Sequence, residues 1–529
     1  MMHFRPRPRC HVRTTASIAA LLAASIAAPT AAAAQNGSAA FLPGNLVVSR
    51  SVYSQNSAFP AYPLVWNAAL LDASFGITSV IFLDQLTPDG TLVNSLEIPN
   101  STQHGVPPTK DQMVTSFSSK SEMALNLSTD GSFVTLMGYL APVDALDVSN
   151  SNTPAAPDAT NPVATFAYRS VAQVDQHGKL RFTKTNAYSG NNGRAAILYN
   201  SYGRNLYFTA GNAGNGSNPQ PTGVVLGAGA QVISPDVNAE VAQQPGDPTP
   251  VASFNVTQLG AKADKVGKDD NFRGLTIFDN VLYLTKGSGG NGVNTVYFVD
   301  TSGDACPNGV GLPEPGASLP DAPLAYDPSL LGTTGLPSNM CILRGFPATL
   351  NSALKKKTTA YPFGVWFADA KTLYVADEGD GTIADAQSTP AGLQKWVFDD
   401  NSQSWKQVYT LQTGLGLGLP YPFPGDAAYP AGINAATGLP WAPLTDGLRN
   451  ITGRVNGDGS VTIWGITSTV SGNGDQGADP NKLVAITDLL ANTSPAIALT
   501  ESFITVRTAG FGEVLRGVSF TPGTGGDIP

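Results

Sequence analysis

Apolar and polar positions alternate along this chain in short bursts, and one succession of bursts recurs. An apolar strand is followed by a tight turn, a second strand of the form x-Leu-Tyr-φ-Thr (φ apolar), a Gly- and Asn-rich loop, and a third apolar strand. The clearest copy runs through Phe272–Phe278, the turn Asp279-Asn280, Val281–Thr285, the loop Lys286–Gly292 and Thr295–Val299. A second uses Gly193–Tyr199, Asn205–Thr209, the loop Gly211–Gly216 and Ala230–Ile233. A third uses Phe363–Phe367, Thr372–Ala376, the loop Asp377–Thr382, Leu393–Phe398 and a fourth strand, Trp405–Leu411. Period-two alternation bounded by turn formers predicts strands joined by hairpins, and about four such strands make one propeller blade.

Looser copies begin at Glu122 and Arg449. The two ends of the chain share a further copy: Leu515–Phe520 repeats the first strand of Phe272–Ile277, Asn45–Ser49 matches a second strand, and Val80–Asp84 and Val93–Ile98 match a third and fourth. Pairing of the last strand with the first would complete a blade and leave no open sheet edge at the seam. Six starts, Glu122, Arg194, Arg273, Phe363, Arg449 and Arg516, lie 67 to 90 residues apart. The fold expected is therefore an all-β, six-bladed β-propeller with long inserted loops. A seven-bladed ring with a degenerate blade in Gln220–Asp270 is the alternative.

The second-strand copies and the loops that follow them, above all Thr372-Leu373-Tyr374-Val375-Ala376-Asp377, resemble NHL-repeat and gluconolactonase-like six-bladed propellers. The resemblance covers most of residues 120–521 and is one of blade rhythm. The Trp-Asp dipeptides of WD40 blades and the paired glycines of kelch blades are absent. It implies a ring-shaped scaffold with a central channel, and a scaffold of this kind does not carry a function with it.

Composition fits this picture. Charged residues make up 13% of the chain, about half the usual share, while Gly (56) and Pro (40) are abundant. The formal charge of −9 argues against a nucleic-acid partner. Arg5, Arg7, Arg9 and Arg13, the apolar run Ala16–Ala28 and the small residues Ala31–Ala34 have the three parts of an export signal. Residues 1–34 are thus expected to be removed, leaving 35–529 as a single propeller domain, secreted or periplasmic and monomeric. No later segment is apolar for long enough to insert stably in a membrane. Cys10 leaves with the signal, and in an oxidising compartment Cys306 and Cys341 most simply form a disulfide, with two buried thiols as the alternative.

Candidate chemistry follows from the repeat. The start of each innermost strand and the loop between strands two and three lie on one face of a propeller, around the channel mouth. Arg194, Arg273, Arg449 and Arg516 occupy equivalent starts, so they can form a bidentate site for a carboxylate, sulfate or phosphate. Equally, they can pair with neighbouring carboxylates (Asp269, Asp270, Asp377, Glu378, Asp446, Glu513) and pin the ring. Asp377, Glu378 and Asp380 form an acidic, Gly-rich loop that can hold calcium, although an acidic turn explains it as well. His104 and His177 sit in loop and turn contexts unsuited to a catalytic triad. Two functions remain. One is a secreted propeller that binds an anionic small molecule or glycan at its axial mouth. The other is a secreted hydrolase or lyase for a sugar acid or lactone, with Glu122, Asp270 or Asp377 as acid/base beside a divalent cation.

Overall fold

The computed structural model describes residues 40–52, 78–100, 113–116, 121–145, 148–154, 156–157, 161, 163–212, 224, 226–236, 248–254, 256, 271–288, 292–306, 308–321, 339–351, 353–354, 360–382, 391–425, 431–435, 438–472 and 479–524. The proposed export signal lies outside them, as do His104, Asp269 and Asp270.

Among the described residues the structure is all-β apart from a 3₁₀ turn and a four-residue helix, Pro495–Ala498. The first sheet contains β1 (Leu46–Val52), β2 (Thr78–Leu86), β3 (Leu92–Glu97), β4 (Met113–Ser116), β5 (Asn126–Leu127), β6 (Phe133–Leu140), β7 (Arg169–Asp175) and β8 (Leu180–Thr185), together with the last strand, β26 (Glu513–Phe520). Its order is β26-β1-β2-β4-β6-β7-β8, with β3 also on β2 and β5 also on β6. The short β4 therefore joins two four-stranded groups, β26-β1-β2-β3 and β5-β6-β7-β8.

Four further sheets follow in chain order. They are β9 (Gly193–Tyr199), β10 (Leu206–Gly211), β11 (Ala230–Ile233) and β12 (Ala252–Phe254); then β13 (Phe272–Phe278), β14 (Val281–Lys286), β15 (Thr295–Val299), β16 (Val310–Gly311) and β17 (Met340–Leu343). Next come β18 (Pro362–Asp369), β19 (Thr372–Asp377), β20 (Gly392–Asp399) and β21 (Ser404–Leu411); last are β22 (Leu444–Val455), β23 (Ser460–Val470), β24 (Lys482–Leu489) and β25 (Ile504–Thr508). β5 lies against β9, β9 against β13, β13 against β18, β18 against β22, β22 against β26, and β26 against β5. Antiparallel sheets set side by side through their first strands are a β-propeller arrangement.

Local sequence explains the strand boundaries. The β13–β14 turn places both Asp279 and Asn280 at positive φ (45° and 58°), as a two-residue hairpin matched to strand twist requires. First strands approach one another closely, which selects glycine just after the strand-start residue. A Cβ on Gly274 would strike the Phe363 carbonyl, and one on Gly517 would strike the Met123 carbonyl. Between sheets the core is aromatic and aliphatic. Phe278 stacks on Phe367 at 4.5 Å, and Tyr283 of the Leu-Tyr motif packs on the same ring at 4.6 Å.

Polar side chains stitch neighbouring sheets through main-chain carbonyls. Ser49 donates to Met123 O (2.8 Å), Thr135 to Ala196 O (2.6 Å) and Arg194 to Phe272 O (2.8 Å). Thr285 donates to Phe363 O, Ser468 to Glu378 O (2.6 Å) and Asn481 to Leu515 O (2.8 Å). Each bond satisfies a buried acceptor at a first strand or beside it, where no fifth strand could do so.

The last strand pairs with the first. β1 and β26 are antiparallel from Leu46↔Phe520 to Val52↔Glu513, with a register shift between Ser49 and Arg50. At that shift Arg50 grips the fully buried Asp84 of β2 through two nitrogens, at 2.7 and 3.0 Å, and reaches Glu513 of β26 at 2.7 Å. Cys306 and Cys341 are disulfide-bonded with their Cα atoms 6.0 Å apart, fastening a loop beside β17. Among the described residues no helix is long and apolar enough to cross a membrane.

Candidate functional site

Of the four arginines expected at strand starts, Arg194 and Arg273 stand second in β9 and β13, whereas Arg449 is the sixth residue of β22 and Arg516 the fourth of β26, because those two strands begin earlier than the repeat pattern indicates; Arg273 and Arg449 nonetheless share a buried polar cluster. Arg273, second residue of β13, donates from Nη1 to Ser121 Oγ and from Nη2 to Ser288 Oγ, both at 2.7 Å, and its Nη2 lies 3.2 Å from Glu378 Oε1. Arg449 of β22 donates from Nε to Glu378 Oε2 at 3.3 Å. One buried carboxylate just after β19 thus pairs with two arginines from different sheets. Arg194 reaches Asn192, Asn271 and Phe272 O, and Arg516 donates to Ser51 Oγ at 3.1 Å. All four arginines are buried.

Carboxylates of the cluster are held by named donors. Glu122 accepts from Thr115 Oγ1 (2.9 Å), the Ser116 amide (3.3 Å) and the Tyr139 hydroxyl. The Tyr139 ring lies beneath the Arg169 guanidinium at 5.3 Å. Arg169 is fully buried, and its nitrogens bind the carbonyls of Ala167, Ser149, Ser151 and Asn191. Burial lowers its pKa to about 9, against the opposing pull of Glu122. Nothing in the repeat pattern marks Arg169, because the strand it opens, β7, is a third strand and not a first one.

Asp377 accepts from the amides of Tyr361 (2.9 Å) and Gly379 (3.0 Å) and from Gln394 Nε2 (3.2 Å). Burial nonetheless pushes its carboxyl up to about 7, against those two amide bonds and with help from the charges of Glu378 and Asp380. Asp380 turns to its own loop and accepts from Thr382, while Asp446 accepts from the Gly381 amide. The side chains of Asp377, Glu378 and Asp380, the candidate calcium ligands, thus engage three different sets of partners. Among the described residues, one group of three ligand-type side chains brings its donor atoms together: Asp300 with Cys306 and Cys341, the disulfide pair. His177 occupies its expected turn, its amide bound by Asp175 at 2.8 Å.

A cavity of about 400 Å³ lies further along the same first strands. Its wall includes Leu125, Ile197, Thr276, Val365, Ile451 and Ser519, one residue from each first strand or its approach. Leu125, Ile197, Thr276 and Ser519 each follow by three residues Glu122, Arg194, Arg273 and Arg516. In β9, β13 and β26 three residues of strand span about 10 Å, so the cavity lies about that far along these strands from the arginines. The sequence pattern points to the strand starts, whereas the open volume is at the strand ends, rimmed by the β5–β6, β9–β10 and β13–β14 turns. Tyr202, 84% exposed, and Asp279 stand on that rim.

No protein-family model matches the chain, and no curated protein matches it in sequence. Among solved structures it is similar to the NanB sialidase of Streptococcus pneumoniae, in complex with 2-[(3-chlorobenzyl)ammonio]ethanesulfonate, at 7% identity and a TM-score of 0.34, over 75% of this chain and 61% of that one. It is also similar to the extracellular domains 1–2 of Drosophila Semaphorin 1a, at 10% identity and a TM-score of 0.24, over 74% and 83%. The chain therefore spans less than two thirds of the sialidase chain it matches.

Proposed function

We propose that this chain is an exported six-bladed β-propeller, closed by the pairing of β1 with β26, that binds a small hydroxyl-rich molecule such as a glycan on its axis. The observation that carries the reading is the cavity of about 400 Å³ with a wall built from six first strands. Its size falls within the range of ligand pockets, and convergence of six elements on one volume is how a propeller makes a site. The succession of first-strand neighbours returning from β26 to β5 supports closure. The disulfide supports an oxidising compartment.

The arginine cluster serves this reading as scaffold. Glu378 already offsets Arg273 and Arg449, and Arg194 is bound to a neighbouring sheet through Phe272 O. An anionic ligand at that level would have to displace Glu378 from two guanidiniums.

Thermal unfolding of the purified chain against neutral sugars, sugar acids and small anions tests the proposal. A true axial ligand at about 100 times its Kd adds about 2.7 kcal/mol of stability. That gain should vanish in Thr276→Trp, which puts an indole on the cavity wall and obstructs it. Stabilisation that survives Thr276→Trp would place the ligand elsewhere and reject the axial site.

A further inference from the structure

The arginine cluster and the cavity differ in kind, and the difference specifies a ligand. In the cluster, Arg273 reaches from β13 to Ser121, ahead of β5, while Glu378, just after β19, holds Arg273 and Arg449. These ties join four of the proposed blades about the axis and lie beyond the inner end of the cavity, where Leu125, Ile197, Val365 and Ile451 form its wall. The residues lining it include no Lys, Arg or His among those described. Thr276, Thr452 and Ser519 bring hydroxyls to separate parts of the wall, while those of Thr129 and Ser201 are bonded to each other and, through Thr129, to Asn200.

The rim adds acceptors. Asp279 is exposed, and its side chain has no hydrogen-bond partner among the described residues. Asn280 Oδ1 is shut off from solvent and its amide nitrogen is spent on Ala317 O, which leaves the two oxygens of Asp279 as the acceptors this turn presents to the mouth. Asp130 is occupied by Ser128 and Ser132. Acceptors without cations call for a ligand that donates hydrogen bonds and carries no negative charge. Hydroxyls dispersed over the wall call for one with donors and acceptors on every side, a demand that a single amine does not meet. The exposed ring of Tyr202 adds an apolar face whose quadrupole suits the C–H face of a sugar ring.

We propose, resting on the axial-site reading above, that the cavity takes the terminal residue of a neutral oligosaccharide end-on, through the mouth flanked by Tyr202 and Asp279. A cavity of about 400 Å³, with the cross-axis ties beyond its inner end, takes the end of such a chain and leaves the rest in solvent.

The test is calorimetric titration of the full chain with maltose, cellobiose and lactose, their hexameric homologues where these exist, digalacturonate and choline. Tyr202→Gly and Asp279→Gly are the variants, since both residues have positive φ and glycine preserves their turns. Binding of a neutral disaccharide is expected, with a hexamer of equal affinity and at least a tenfold loss in each variant. Preference for digalacturonate or choline, still abolished by Thr276→Trp, overturns the neutral-sugar assignment and leaves the axial site standing. Affinity that climbs steadily with chain length overturns end-on capture. Absence of binding to any member of the panel, or binding indifferent to all three variants, overturns this inference; indifference to Thr276→Trp overturns the axial site as well.

Discussion

Arg273 and Ser121 are 152 residues apart in sequence and are joined by a 2.7 Å hydrogen bond between buried side chains. That contact brings together the first strand of one sheet and the approach to another, with β9 lying between β5 and β13. Beside it, Glu378 makes ion pairs at 3.2 and 3.3 Å with Arg273 and Arg449.

Removing the shared carboxylate leaves two guanidiniums buried without it. Glu378→Ala is expected to destabilise the chain by about 3–5 kcal/mol, the usual cost of breaking a buried pair from one side. Glu378→Gln, which keeps the acceptor oxygen, should lose less. Chemical denaturation of the two variants checks the order; equal stability to the parent would show that the cluster does not hold the sheets together.

Asp377 gives a pH signature. Burial pushes its carboxyl in the folded chain up to about 7, from the ordinary aspartate value of 3.8. The folded chain therefore keeps a proton that the unfolded chain releases, and stability contributed at this site falls as pH rises from about 4 to 7. Asn in its place mimics the protonated acid. Asp377→Asn should accordingly gain on the parent between pH 5 and pH 8, by roughly 1.4 kcal/mol for each pH unit crossed within that window. Denaturant midpoints at the two pH values measure it, and parallel midpoints would contradict it.

The seam between the termini is the third test. Asp84 is fully buried and meets Arg50, Arg507 and Ser95. Asp84→Ala should cost about 3–5 kcal/mol. Removal of residues 513–529 deletes β26 and exposes the edge of β1, so the truncated chain is expected to aggregate or to lose cooperative unfolding. Circular dichroism melts and light scattering read both effects.

Disulfide removal makes the fourth. Cys306 and Cys341 are separated by 35 positions, for which the chain-entropy model gives about 4 kcal/mol. Cys306→Ala together with Cys341→Ala should lower the denaturation midpoint accordingly, and the parent under reducing conditions should match the double variant.

Much of this architecture could be read from residues. Strands with a Leu-Tyr core are paired on both sides, so β10, β14 and β19 carry dense apolar alternation and are legible without coordinates. Leu515–Phe520, which pairs on one side with β1, is legible because it repeats the first-strand pattern of Phe272–Ile277. β12 is not: Ala252–Phe254 is three residues long and follows an extended insertion, so its stretch reads equally as a weak seventh blade. β4 is hidden too, because a four-residue link between sheets has no repeat partner. Among the strand-start arginines, sequence proximity named Glu378 and Glu513 together as counter-ions. Only geometry separates them: Glu378 serves Arg273 and Arg449, whereas Glu513 faces Arg50 across the β1–β26 pair. The cavity escaped sequence reasoning because its wall is made of ordinary strand ends whose only distinction is that they converge.

Because β26 is the neighbour of β1, residues such as Arg50 and Glu513, 463 positions apart, meet across one ladder. A pairing of that separation demands closure of a very long loop before any contact rewards it, so this ladder should be among the slowest parts of the molecule to form when the denatured chain refolds.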